Sequence, residues 1–145
     1  MAHGNDVEAL RAWLRNCPAI DREAAFGVDY LGAEAGCWAI CGLASELKRR
    51  ENIMGEAALA RRQAREYALD YRGTHSGDPA GNLENLQRMS GAAEWVRSRS
   101  AAGDLPEWPG GRLTAVLPAR QAAVEDAGKG TARYRLRLRA EYELD

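Results

Sequence analysis

From 131 to 144 the chain alternates without a slip. Tyr134, Leu136, Leu138, Ala140, Tyr142 and Leu144 fall on one side; Arg133, Arg135, Arg137, Arg139, Glu141 and Glu143 fall on the other. Side chains in a strand point to opposite faces with period two, so this pattern predicts one long, half-buried strand. Its apolar face needs a second layer. Its charged face needs water or a charged partner. Two stretches show helical spacing instead. Val7, Leu10 and Leu14, with Trp13 beside them, predict a helix over 5–16 that Asn5 or Asp6 can cap and Pro18 ends. Leu83, Leu86, Met89 or Ser90, Ala93 and Val96 predict a second helix over 80–102, with Trp95 beside the stripe and Gly103 as its stop.

The remaining segments are shorter or mixed. Phe26, Val28 and Tyr30 alternate in an extended but irregular stretch. The apolar run 37–43 reads as a buried strand, and periodicity alone does not separate it from a buried helical turn. Residues 52–55 look like the end of a hairpin arm, with Gly55 in the turn. Residues 56–66 are rich in helix formers and read as helix by propensity. From 64 to 72, Arg65, Tyr67, Leu69 and Tyr71 alternate with Glu66, Ala68 and Asp70, which favours a strand. Residues 73–79 form a turn-rich loop. Residues 112–118 read as a strand that is apolar on both sides, and 121–130 as a polar connection into the last strand. That short link predicts an antiparallel pair. The order of elements gives an α+β fold: a single domain over 1–145, with a mostly antiparallel sheet of about four to five strands and two helices packed on one face.

Composition narrows the function classes. The chain has 145 residues, 46% hydrophobic and 28% charged, with a formal net charge of −1. That is ordinary for a globular domain and gives no global electrostatic case for nucleic-acid or membrane binding. No apolar run reaches the ~18 residues a membrane span needs, and residues 1–6 do not read as a signal peptide. Three cysteines suggest a reducing compartment and no disulfide framework.

Candidate chemistry is thin. His3 and His75 have no Cys or carboxylate at metal-ligand spacing, so no metal and no cofactor is expected. Cys17, Cys37 and Cys41 read as core residues. His75 and Ser76 are merely adjacent in sequence. Phosphate-binding loops, nucleophile elbows and dinucleotide fingerprints are missing, so no catalytic residue is expected. The arginine row on the last strand has three readings. It could track phosphates, form a solvated face with cross-strand ion pairs, or form an intersubunit surface, since the planar guanidinium suits carboxylates across interfaces. The third fits best with a long strand and no chemistry. Trp108, set among prolines and glycines with little local core, is a second interface candidate. Residues alone therefore describe a non-catalytic domain that assembles.

Several stretches taken together carry a resemblance. They are Leu10-Arg11-Ala12-Trp13-Leu14-Arg15-Asn16-Cys17-Pro18, Gly27-Val28-Asp29-Tyr30-Leu31-Gly32, Arg50-Glu51-Asn52-Ile53-Met54-Gly55, Asn82-Leu83-Glu84-Asn85-Leu86, Glu94-Trp95-Val96, Leu105-Pro106-Glu107 and Gly130-Thr131-Ala132-Arg133-Tyr134. In this order the chain resembles the tail terminator, or tail completion, proteins of long-tailed phages and prophages. These are often labelled minor capsid proteins and sometimes mislabelled chloramphenicol resistance proteins. The resemblance rests on order and spacing; no single motif is specific.

It implies a structural virion subunit, assembled in the bacterial host cytoplasm. The subunit would form a ring, usually a hexamer, at the head-proximal end of the tail. The ring's partners would be further copies of itself, the tail tube protein and the head–tail connector or neck protein. Genomic DNA would pass through the lumen without specific binding, and no membrane is involved. The resemblance also implies strand over 56–72, although Ala57, Ala58, Ala60 and Ala64 stand where relatives carry bulkier residues. In such a ring Arg135, Arg137 and Arg139 would pair with carboxylates of a neighbouring subunit or of the tube. Two other readings remain at this point: another neck or head-completion connector subunit, and a small acyltransferase-type enzyme.

Overall fold

The computed structural model describes residues 5–43, 49–51, 57–120, 122–128 and 130–145. Two helices pack on one face of a six-stranded, mostly antiparallel sheet. The expected α+β class therefore holds, with six strands in place of four to five. The elements are α1 (Asn5–Leu14), β1 (Phe26–Val28), β2 (Trp38–Gly42), β3 (Arg49–Glu51), β4 (Ala57–Leu59), β5 (Arg62–Thr74), α2 (Pro79–Ala101), β6 (Gly111–Pro118), β7 (Ala123–Ala127) and β8 (Thr131–Leu144). The main sheet runs β1-β2-β5-β8-β6, with β7 also on β8. Among the described residues only β1 and β2 run parallel. β3 and β4 form a separate antiparallel pair. The expected turn at 52–55 lies outside the described residues.

β5 and β8 are the axis of the molecule. They pair without interruption from Arg62↔Glu143 to Thr74↔Thr131, a ribbon roughly 40 Å long at about 3.3 Å per residue. β6 and β7 run end to end along the far edge of β8, both antiparallel to it. The turn between β7 and β8 uses Gly130 at φ 77°, a left-handed conformation that glycine adopts without penalty. The expected antiparallel pairing of the last strands holds. The connection expected over 121–130 is corrected, because it contains β7. All five residues of β7 are exposed, so no buried face imposed an alternation on its sequence.

Of 56–66, helix by propensity and strand by resemblance, the described residues are strand at 57–59 and from 62 on, in β4 and β5. Pairing of β4 with β3 and of β5 with β8 outweighs the local preference of alanine for helix. α2 begins at the capping residue Asp78, whose carboxylate accepts from Ala80 N at 3.1 Å, with Pro79 in the first turn. Asp78→Ala should cost about 1 kcal/mol of stability, read from the urea midpoint.

The core lies between the sheet and the helices. It joins Leu10 and Leu14 of α1 and Met89, Ala92 and Val96 of α2 to Trp38, Ile40, Tyr67, Leu69, Tyr134, Leu136 and Leu138. The rings of Trp13 and Trp95 meet at 4.9 Å and tie the helices together. The buried stripe of α2 differs from the expected one: Leu83 is 55% exposed and Asn85 is buried in its stead. Asn85 donates from Nδ2 to Thr74 O at 2.6 Å and to the Tyr134 hydroxyl at 3.3 Å. It reaches them because Gly73 lacks a side chain; a Cβ there would lie 2.7 Å from the Asn85 amide.

Candidate interaction face

Alternation sends the odd-numbered residues of β8 to the sheet face opposite the helices. Arg133, Arg135, Arg137 and Arg139 all lie there, half-buried. Register places Arg72, Asp70, Ala68 and Glu66 of β5 beside them in that order. The four arginines are not equivalent. Arg135 donates from Nε to Asp70 Oδ1 at 2.8 Å and from Nη2 to Asp70 Oδ2 at 2.9 Å. Only 15% of the Arg135 side chain and 1% of the Asp70 side chain are exposed. The hydrogen bonds to Asp70 also raise the Arg135 pKa above its ordinary value. Arg139 reaches Glu141 of its own strand at 3.2 Å. The expectation that Arg135 serves a neighbouring subunit is therefore corrected: its fork is taken by Asp70 of the same chain. Arg139 is engaged more loosely, and both residues of its pair are partly exposed.

Charge pairing is dense at one end of this face and uneven along the rest. Around Glu143 gather Arg112 at 3.1 Å, Arg62 at 3.8 Å and Arg61 at 4.0 Å. Arg133 and Arg137 have no ion pair among the described residues, and the Nε of each is buried without a hydrogen-bond partner. Arg133 also sits directly across from Arg72, a like charge, which is unfavourable in an antiparallel pair. Arg72 in turn donates from Nε to Gly32 O at 3.2 Å.

Cys41 lies on the same face and is not the plain core residue expected. Half-buried, it donates from Sγ to Asp70 Oδ2 at 3.6 Å. Burial first, and the Asp70 carboxylate second, push its thiol from 9.0 up to about 11. A thiol that holds its proton more tightly when folded stabilises the fold below its ordinary pKa, and that contribution is lost as pH rises toward the folded value. Alkylation of native Cys41 by iodoacetamide should stay slow at pH 8 and accelerate toward pH 11, as mapped by peptide mass spectrometry. Cys17 is buried and Cys37 is half-buried.

Trp108 is not at the surface. It is 6% exposed and packs edge-on to Tyr67 at 6.2 Å and against Tyr142 at 5.6 Å. The view that it lacks a core of its own is corrected, because β6 folds the 105–110 loop back onto the helix side of the sheet. Beside it Asp6 of α1 accepts from the Tyr67 hydroxyl at 2.5 Å and from Arg65 at 3.0 Å. Burial and the bond to Asp6 raise the Tyr67 pKa. His75 Nδ1 lies 3.2 Å from the Tyr134 hydroxyl. Among the described residues no group of three or more His, Cys, Asp or Glu is placed to hold a metal ion, and no helix is long and apolar enough to cross a membrane.

One surface residue escaped the sequence reading. Tyr30 is 74% exposed, although it alternates with the buried Phe26 in sequence. Asp29 turns the chain at φ 53° and accepts from Gly42 N through its carboxylate at 3.1 Å. Aspartate tolerates this left-handed region better than most residues, and that was the available signal.

Neither a known family model nor a curated protein matches this sequence.

Proposed function

We propose that this chain is a structural subunit of a phage or prophage tail: a tail terminator that forms a ring on the head-proximal end of the tail tube. There it stops tube growth and offers a docking surface to the head. The resemblance of the ordered motifs supports this reading. The observation that carries it in the structure is the charged sheet face, where the half-buried Arg133 and Arg137 have no ion pair among the described residues. A carboxylate of a neighbouring subunit would pair with the solvent-facing part of these half-buried side chains. The work involves no bond making. A tube grows because the top of each ring binds the bottom of the next. A terminator binds the last ring and presents a different upper face. Rings close when one subunit's surface packs on a different surface of the next and rotation returns to the start.

The test is tail length. Disrupting this reading frame in its parent genome should yield overlong tails of variable length without heads, seen by negative-stain microscopy. Tails of uniform length beside unattached heads would make the chain a neck subunit instead. Normal infectious particles would overturn both.

A further inference from the structure

Arg133 and Arg137 lie on the face away from the helices. The complementary surface is on the other side of the same molecule. Asp21, Glu23 and Glu34 rim an open hollow whose floor includes Trp38 and Tyr71, both on the helix side of the sheet. All three acids are exposed. The segment 18–36 carries four acidic residues, Asp21, Glu23, Asp29 and Glu34, against the single base Arg22. Neither Glu23 nor Glu34 has an ion-pair partner among the described residues. The one arginine on the wall of the hollow, Arg88, is engaged with the Tyr71 hydroxyl at 2.6 Å.

We propose that the arginine face of one copy docks on the Asp21/Glu23/Glu34 hollow of a second copy, and that this contact joins neighbouring subunits. It deepens the ring reading and rests on it. Three observations favour a second copy as occupant. The two surfaces carry opposite charge. Arg133 and Arg137 on one surface, and Glu23 and Glu34 on the other, have no ion pair among the described residues. They lie on opposite faces of the sheet, so a chain cannot satisfy itself but can satisfy a neighbour. Such a contact is heterologous, the kind that builds rings. Guanidinium and carboxylate match as planar groups, and Arg137 and Glu34 are the residues whose exchange tests the match.

Sedimentation velocity of the full chain over rising concentration reads this directly. Wild type should assemble. Arg137→Gln, Arg137→Glu and Glu34→Arg should each raise the concentration needed by roughly tenfold or more, the scale expected when one partner of an interfacial charge pair is lost. Arg137→Glu combined with Glu34→Arg should recover assembly. Circular dichroism of each variant checks that it is folded, and the milder Arg137→Gln keeps the test open should a reversal unfold. Assembly that is unchanged by these substitutions, a swap that does not rescue, or a chain that stays monomeric throughout would overturn the docking. Tail length in the disrupted genome is a separate readout. A failed docking contact beside overlong tails leaves the terminator reading standing, and the reverse result removes that reading alone.

Discussion

Arg135→Ala should lower folding stability by about 3–5 kcal/mol, whereas Arg137→Ala, two residues along the same face, should change it by no more than about 0.5 kcal/mol. The difference is entirely one of partners. Asp70 is 1% exposed and takes both of its described charge-assisted bonds from Arg135, with only the weak Cys41 thiol besides. Truncating Arg135 strands a carboxylate where water does not reach it. Truncating Arg137 removes a cation that has no ion pair among the described residues and relieves a buried, unpaired nitrogen. Urea unfolding of both variants, compared at constant m value, checks the contrast. The double variant Asp70→Ala/Arg135→Ala should lose much less than the two single losses added together, because the second truncation removes the stranded charge. Equal effects of Arg135→Ala and Arg137→Ala would mean that the Asp70 fork contributes nothing.

Leu138→Ala should cost about 2–5 kcal/mol, and Leu138→Met less than about 1.5 kcal/mol. Leu138 is fully buried. Its strand is held on one side by Tyr67 and on the other by Pro118, so neighbouring strands cannot close on a cavity without breaking ladder bonds. Methionine keeps the volume and bends to fit. Thermal unfolding reads the same order, at about 3 °C per kcal/mol for a domain of this length. A Leu138→Ala loss under 1 kcal/mol would show that this part of the sheet collapses freely.

β8 was legible because one face is buried throughout and the other is not, so its alternation is printed in full. α1 was legible for the same reason at helical period. β7 was not, since a strand with every side chain exposed leaves no pattern. In α2 the polar Asn85 occupies a core position while Leu83 faces out, and no stripe rule anticipates a buried amide that caps Thr74 and Tyr134. Over 57–66 local composition pointed to helix, and pairing decided otherwise: β4 with β3, and β5 with a strand far along the chain. The arginine row was visible as a row, but its internal difference was not. Which arginine is consumed by Asp70 depends on a register set between residues 65 positions apart. Trp108 was misjudged because its neighbours in sequence are turn residues, while its neighbours in space are Tyr67 and Tyr142.

The β5–β8 ribbon has a consequence for synthesis. Thr74 pairs with Thr131, so even its closest rungs are 57 positions apart. At about 5–20 residues per second, β5 leaves the ribosome roughly 3 to 11 s before its partner exists. Through that interval Tyr67, Leu69 and Tyr71 have no β8 to lie beside. A ribosome stalled before residue 131 should therefore hold a nascent chain that a chaperone for unpaired hydrophobic strands retains, and release of the full chain should free it.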